Sequence, residues 1–269
     1  MDNNSILNKF DIIEINNNSR ITIEDQTFCE DQEKQYKEFI EFADEYILYL
    51  NYNPLFNKYY NSETLIKEMN KNKECNKNEF ISNIVDHFRD EYKVTLDYKI
   101  IQQKYNIDIT YNTIIDEIIE QLEGYNFTDK ASKEIKEAFK DEVRGYNGNV
   151  KAEIKKQKVI FDSFFYADTW DKKYGGEPSI GYNSTNGFYK LLKALSHFEQ
   201  GSAENLYSGI YSKIRCEKGD KVFTTHTMMC FKAESMKIFK NGKVEVTFLT
   251  NEYAQQFAKE YCGYIGGVN

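Results

Sequence analysis

Residues 236–248 read Met-Lys-Ile-Phe-Lys-Asn-Gly-Lys-Val-Glu-Val-Thr-Phe, and this stretch decides the fold of the second half of the chain. Asn241-Gly242 lies between two runs of β-prone residues, which is a strong hairpin signal. A type I′ turn needs positive φ at both central residues, and Asn and Gly tolerate that conformation best. A two-residue loop then predicts that Phe239 pairs with Val244.

The two strands of this predicted hairpin differ in how well their apolar residues share a face. The second strand alternates cleanly and places three residues on one side: Val244, Val246 and Phe248. In the first strand Met236 and Ile238 point away from the side on which Phe239 lies. Either that strand carries a bulge or both faces of the sheet are covered.

The first half of the chain carries apolar residues at helical spacing. Helices are expected over the segments 36–50, 81–92, 96–105 and 114–122, with another after Thr128. A polar stretch at 70–78 reads as a linker between a short helix after Ser62 and the next helix, with Asn78 as its N-cap. The strand-like pieces Ile12–Ile15 and Arg20–Ile23 favour a small N-terminal hairpin.

Beyond Gly145 and Gly148 the pattern changes to strands and helices. Strands are predicted over 159–166 and 221–225, and helices over 188–201 and from Thr250 to Gly263, while 206–216 is ambiguous. The predicted fold class is therefore α+β, with a helical N-terminal half followed by an antiparallel-sheet domain with flanking helices. The predicted domains are 1–148, mostly helical with the small β element, and 149–269, which contains the hairpin.

Charge is distributed unevenly along a chain whose formal net charge is −8. Residues 1–60 hold 12 acidic and 5 basic side chains, whereas residues 213–243 hold 8 basic and 3 acidic side chains. Such regions can present complementary surfaces to a partner or to a second copy, although a solvated surface with chance clustering gives the same pattern.

Sequence signatures of catalysis are missing. The three histidines, His87, His197 and His226, stand apart, and there is no zinc-binding spacing, P-loop, dinucleotide fingerprint or nucleophile elbow. We therefore expect no enzyme and no catalytic, cofactor-binding or metal-binding residues, although a site assembled from distant residues would escape this search. Five cysteines without a CxxC pair and no apolar run long enough to span a membrane predict a cytoplasmic protein.

A binding surface is the remaining hypothesis. Its candidate residues are Lys237, Phe239, Lys240 and Lys243 on the hairpin, with Trp170 and Tyr174 in the long polar loop. A lysine-rich β-ribbon suits a phosphate backbone, and aromatic rings can stack on bases. The net negative charge of the whole chain argues against nucleic-acid binding. Lysines on exposed strands also have another explanation, since they prevent pairing between the edges of two sheets.

The C-terminal half, about residues 155–262, resembles an uncharacterised domain of phage, plasmid and integrated-element proteins. The similarity rests on Lys158-Val159-Ile160, on the Phe188-x-x-Leu191-Leu192-x-Ala194-Leu195 helix ending near Gly201, and on the 236–248 ribbon. Members of that family are sometimes fused behind an adenine-specific DNA methyltransferase and carry a Phe/Tyr-Lys-Asn-Gly-Asn-x-His-Leu-x-Phe ribbon. Here Lys243 replaces the second Asn and Glu245 stands at the histidine, so a role tied to that histidine is in doubt.

The resemblance implies a mobile-element origin, and phage inhibitors of the Gabija defence system are similar in size class. The leading hypothesis is a non-enzymatic, oligomeric protein that binds and blocks a host defence protein complex in the host cytoplasm. Aromatic anchors and an acidic surface that competes for a DNA-binding site supply its physical logic. The alternative is a nucleic-acid-binding accessory module associated with DNA modification, and a third possibility is an enzyme with a dispersed site.

Overall fold

The computed structural model describes residues 20–53, 61–145, 150–168, 176–228 and 230–264. Helices over the first half precede a five-stranded antiparallel sheet with flanking helices, so the predicted α+β class is confirmed. The chain divides into two compact units, Met1–Phe127 and Thr128–Asn269. The predicted domain boundary at 148/149 stays a prediction, because compactness alone does not identify an independently folding unit. None of the helices in the described ranges is long and apolar enough to cross a membrane.

The first unit is built on two long antiparallel helices. Its helices are α1 (Ile23–Tyr52), α2 (Ser62–Tyr92), α3 (Tyr98–Lys104) and α4 (Tyr111–Gln121). The Tyr36 and Phe80 rings stack with centroids 4.6 Å apart, and further along α1 the Asp44 carboxylate lies 2.7 Å from the Lys73 ammonium. A later residue of α1 thus contacts an earlier residue of α2, so the two helices run antiparallel.

Helix α1 begins where a strand was predicted. The Thr22 hydroxyl accepts a hydrogen bond from the Asp25 N–H, and the Asp25 carboxylate accepts one from the Thr22 N–H, which together form a capping box. The predicted strand Arg20–Ile23 is therefore wrong, because its threonine satisfies helix amides instead of a sheet ladder. The other half of that hairpin, Ile12–Ile15, lies outside the described residues.

The predicted linker at 70–78 is also wrong, since it forms the middle of the continuous helix α2. Lys73 and Lys77 are buried despite their charge. The Lys77 ammonium donates to the Glu74 carboxylate at 2.7 Å and to the Tyr105 carbonyl at 3.1 Å, so tertiary partners compensate its burial. Asn78 is an interior residue of the helix and not an N-cap.

The second unit packs helices on one face of the sheet. Its helices are α5 (Phe127–Val143), α6 (Thr185–Gln200), α7 (Ser208–Cys216) and α8 (Asn251–Tyr261). Its strands are β1 (Ala152–Lys155), β2 (Lys158–Phe161), β3 (Ala167–Asp168), β4 (Ser179–Ile180), β5 (Thr225–Thr227), β6 (Ala233–Ile238) and β7 (Val244–Phe248). The main sheet has the order β1-β2-β7-β6-β5, and β3 pairs with β4. Helices α5, α6 and α8 supply apolar side chains to a core shared with the inner face of the sheet.

The β6–β7 hairpin is present, but its register differs from the prediction by one residue. Ile238 pairs with Val244 and Met236 with Val246, so these four residues meet on the buried face. A one-residue slip moves every side chain of a strand to the other face, and the observed register is the one that buries both strands. A further register shift between Ala233 and Ser235 is the bulge that one of the sequence alternatives required.

The turn itself explains the register. The Gly242 N–H donates to the Phe239 carbonyl at 3.1 Å, and the Phe239 N–H donates to the Lys243 carbonyl at 2.9 Å, which closes a three-residue loop. Gly242 has a φ of 88°, whereas Asn241 has no positive φ. The type I′ prediction is therefore wrong, and the turn is of the three-residue kind with a glycine bulge.

Boundaries elsewhere in the second unit differ in smaller ways. The predicted strand at 159–166 ends at Phe161, where a turn takes over. In the predicted strand at 221–225, Lys221 ends the 3-10 helix Gly219–Lys221, residues 222–224 form a turn, and β5 starts at Thr225. The ambiguous segment 206–216 forms α7. The helix predicted to end at Gly201 does so, with Gly201 at a φ of 73°.

We predict that Gly242→Ala destabilises the protein more than Gly201→Ala does. Both glycines have positive φ, which costs a side chain about 1–2 kcal/mol. A Cβ on Gly242 would also lie 2.5 Å from the Phe165 carbonyl oxygen, whereas a Cβ on Gly201 meets open space. The extra crowding should add about 1–3 kcal/mol. Urea unfolding followed by circular dichroism measures both losses, and equal losses would contradict the importance of this close approach.

Candidate functional site

The hairpin residues predicted as a binding surface lie together, but their charges are already engaged. The Lys237 and Lys243 ammonium groups sit 4.8 and 5.1 Å from the centroid of the half-buried Phe239 ring. The Lys240 ammonium lies 2.9 Å from the Asp220 carboxylate. The structure thus brings three of the four residues into one cluster and directs Lys240 to a neighbouring turn.

Glu245, the residue opposite Lys237 on the paired strand, is the anionic centre of this face. Its carboxylate lies 2.6 Å from the Lys243 ammonium and 3.1 Å from that of Lys158. Burial raises the pKa of Glu245, but the hydrogen bonds from Lys243 and Lys158 outweigh it and hold that pKa below its usual value. Lys158 and Lys243 thus share one carboxylate, Glu245, and Lys237 contacts the Phe239 ring.

The other two predicted surface residues, Trp170 and Tyr174, lie outside the described residues. Whether these six side chains form one binding surface stays a prediction.

A second surface, which was not predicted as a site, lies on the C-terminal half of α1. We call residues 38–52 the acidic arm. It contains four carboxylates and no basic residue, and its large exposed apolar side chains are Phe42, Leu48, Tyr49 and Tyr52. Phe42 is 59% exposed and Tyr52 is 80% exposed, although both belong to a regular helix. Exposed apolar residues gathered on one element mark an interaction surface.

Helical spacing places these residues on one side of α1. Phe42, Tyr46 and Tyr49 follow the i, i+4, i+7 pattern, and the Phe42 and Tyr46 rings stack with centroids 6.3 Å apart. Ala43 and Leu50 are fully buried, each about 100° further round the helix than its neighbour Phe42 or Tyr49. The aromatic stripe therefore flanks the face that packs within the unit, and the half-buried Tyr46 lies at the border between them.

The acidic arm is less supported than the other half of the α1–α2 pair. Bonds from α3, α4 and the loop between them reach α1 and α2 nearer the start of α1, where the Tyr36 hydroxyl donates to the Ile107 carbonyl at 2.6 Å and the Glu33 carboxylate accepts from the Tyr111 N–H. Within the arm, the Asp44–Lys73 pair joins the two helices. A two-helix segment buries little apolar surface by itself, and Phe42, Leu48 and Tyr52 stay exposed among the described residues.

The most highly connected polar group of the first unit is the buried Asp25 carboxylate. It accepts hydrogen bonds from the Tyr92 hydroxyl and from the Thr22 hydroxyl, the latter at 2.8 Å. The His87 Nε2 lies 2.7 Å from its other oxygen, and the His87 ring stacks on Phe28 at 4.2 Å. These bonds tie the start of α1 to the end of α2.

An open cleft of about 490 Å³ lies beside His87, and an Asp–His pair in a cleft is a possible general base. The cleft is lined by Phe28, Gln32, Asn83, Asp86, His87, Asp90 and Glu91. This lining offers no Ser, Cys or Lys nucleophile and surrounds the imidazole with carboxylates. The hydrogen bonds of Asp25 with Thr22, His87 and Tyr92 hold the start of α1 against the end of α2, and we call this group the Asp25 clamp. Sequence reasoning missed the pair because its members are 62 residues apart.

The other two histidines have structural partners. The buried His197 Nδ1 lies 2.6 Å from the Tyr261 hydroxyl, and burial lowers the pKa of His197, which keeps the ring neutral. The His226 Nε2 lies 2.9 Å from the Val222 carbonyl oxygen. Throughout the described ranges, no three His, Cys, Asp or Glu side chains converge as a metal site would require.

Comparison with known proteins returned no match to a family model, to a curated protein or to a solved structure. The resemblance to the mobile-element domain therefore stays a prediction.

We predict that the Asp25 clamp makes the first unit sensitive to acid. Burial raises the pKa of Asp25, but hydrogen bonds from Tyr92, Thr22 and His87 outweigh it and hold that pKa below its ordinary value. The stabilisation is therefore present above the unfolded-state pKa of about 4 and is lost as pH falls below it. Asp25→Asn should lose about 1–3 kcal/mol at pH 7.

The gap in unfolding free energy between wild type and Asp25→Asn should narrow as pH falls from 5 to 3. Denaturant unfolding at each pH measures this gap, and other carboxylates cancel because both proteins carry them. Tyr92→Phe is the control that removes one donor and keeps the charge. A gap that stays constant with pH would show that the carboxylate charge does not contribute.

Proposed function

We propose that this protein is a non-enzymatic inhibitor that uses the acidic arm to bind and block a host defence protein complex. The observation that carries the proposal is the row of exposed aromatic and aliphatic side chains on an all-acidic stretch of a regular helix. Amphipathic helices commonly bind by laying such a face into a groove of a partner protein. The mobile-element origin implied by the sequence resemblance favours a host target.

The chemistry of the arm favours a partner with a basic groove. Glu38, Glu41 and Glu45 are exposed and alternate with the aromatic residues, so cations of a partner would meet carboxylates between apolar anchors. A groove that binds DNA phosphates has this positive charge. Occupying it would exclude nucleic acid without any catalytic step.

The aromatic side chains suit a binding role for an energetic reason. Phe42 and Tyr52 project from a helix that is already formed, so binding would immobilise few additional torsions. Aromatic side chains are also enriched among residues that dominate binding energy. The homo-oligomer expected from the sequence remains part of the proposal. Because two acidic arms repel each other, we place a self-interface on another surface.

Nucleic-acid binding by the hairpin is the alternative, and the contacts support it less. Lys240, Lys243 and Lys158 each have a carboxylate partner. Releasing condensed counterions from a phosphate backbone requires free cations, and these pairs would have to break first.

We predict that replacing Lys237, Lys240 and Lys243 by Gln leaves retention on DNA unchanged, because these ammonium groups are already engaged by carboxylates and by the Phe239 ring. Binding to immobilised DNA at several salt concentrations measures this directly. A wild type that is retained and a triple variant that is not would favour the hairpin alternative.

For the acidic arm we predict loss of the partner when Phe42, Leu48 and Tyr52 are replaced together by Ser. These side chains are exposed, so folding should be little affected, while binding should weaken at least about tenfold. The tagged full-length chain is used to capture proteins from a defence-bearing bacterial lysate with nuclease present, and mass spectrometry quantifies the recovered complex. Excess DNA should compete if the bound groove is basic.

Phe231→Ser is the matched control, because Phe231 is 88% exposed and belongs to the second unit. It should recover the complex as wild type does. The proposal would be overturned if the arm variant recovered as much of the complex as wild type does, or if wild type recovered no stoichiometric complex.

A further inference from the structure

A groove of about 400 Å³ in the second unit differs in character from the rest of this acidic chain. It lies between α7 and the segment that leads into α6, and is lined by Tyr182, Asn183, Thr185, Asn186, Tyr211 and Arg215. Among the described residues that line the groove, Arg215 is the one charged side chain and none is a carboxylate. The volume is within the usual range for small-ligand sites.

Two aromatic rings are available at this groove. Tyr182 is 83% exposed, and its carbonyl accepts a 2.7 Å hydrogen bond from the Thr185 hydroxyl, which fixes the backbone beneath it. The Tyr211 ring meets the Tyr189 ring edge-on at a centroid distance of 5.4 Å. The groove therefore combines the exposed Tyr182 ring with the Tyr211 ring, which packs against Tyr189.

The cation at the groove is the Arg215 guanidinium. Tyr211 and Arg215 are four residues apart on α7 and so share one side of that helix. Arg215 is exposed and forms no ion pair with any described residue, unlike Lys240 and Lys243 of the hairpin. A planar guanidinium with unsatisfied donors matches the geometry of a phosphate group.

We propose that this groove binds single-stranded nucleic acid. A base stacks on Tyr182 and Tyr211, the Arg215 guanidinium contacts a backbone phosphate, and the side-chain amides of Asn183 and Asn186 meet base edges. Aromatic rings beside a cation form the usual platform for unpaired strands. In a duplex the base faces are hidden by stacking, so the exposed tyrosine favours an unpaired strand. This site is separate from the acidic arm and from the hairpin lysines.

The test measures fluorescence anisotropy of a labelled oligo-dT of about 12 nucleotides, a length within the range bound by single-strand sites. The full-length chain is titrated at several salt concentrations. Tyr182→Ala should weaken binding about 5- to 100-fold through lost stacking. Arg215→Gln should weaken binding and reduce the slope of log K against log salt by about 0.7, the value for one phosphate contact.

Matched controls separate the groove from the rest of the surface. Phe231→Ala removes an equally exposed ring and Lys240→Gln removes a paired cation, and both should bind as wild type does. The arm variant with Phe42, Leu48 and Tyr52 replaced by Ser should also keep its oligonucleotide affinity, so failure of the two proposals can be told apart.

The inference would be overturned if wild type did not bind the oligonucleotide, or if the Tyr182 and Arg215 variants bound it as tightly as wild type. It would also be overturned if the control variants weakened binding as much as the groove variants do. Thymidine monophosphate is added as a competitor at matched nucleotide concentration. Full displacement by the mononucleotide would assign the groove to free nucleotides and overturn the assignment to a strand.

Discussion

The close approach of the Gly242 turn to the loop after β2 is the constraint on which the second unit depends. The Gly242 carbonyl accepts a hydrogen bond from the Phe164 N–H at 2.8 Å, and no side chain fits between these two backbone segments. This contact holds the three-residue loop, and the loop sets the register of β6 against β7. Because side chains alternate along a strand, that register decides which residues reach the core.

Opposite arrangements of charge occur on the two units. In the acidic arm, carboxylates alternate with exposed aromatic residues and no basic residue intervenes. On the hairpin, Glu245 pairs with Lys243 and Asp220 with Lys240, so part of the positive charge of that segment is offset. At the Tyr182–Arg215 groove the Arg215 guanidinium stands beside aromatic rings and forms no ion pair within the part of the chain that the structure describes. Net charge per segment therefore predicts partners poorly, because pairing across the fold decides which charges remain available.

Polar groups that resemble catalytic residues serve the packing of helices in this fold. Asp25 joins Thr22, His87 and Tyr92 and so links the ends of α1 and α2. His197 meets Tyr261 and thereby connects α6 to α8. Buried polar groups need partners, and partners drawn from different helices also fix how those helices align. These networks explain the histidines without assigning them a reaction.

Local periodicity and turn chemistry are enough to predict the α+β class, the helical spacing of the first half and the existence of the hairpin. They could not determine the continuity of α2, since burial of Lys73 and Lys77 depends on partners elsewhere in the chain. Neither the hairpin register nor the distance from Arg215 to a carboxylate is a local property. Tertiary structure decided both, because each depends on which distant backbone or charge lies within hydrogen-bonding distance.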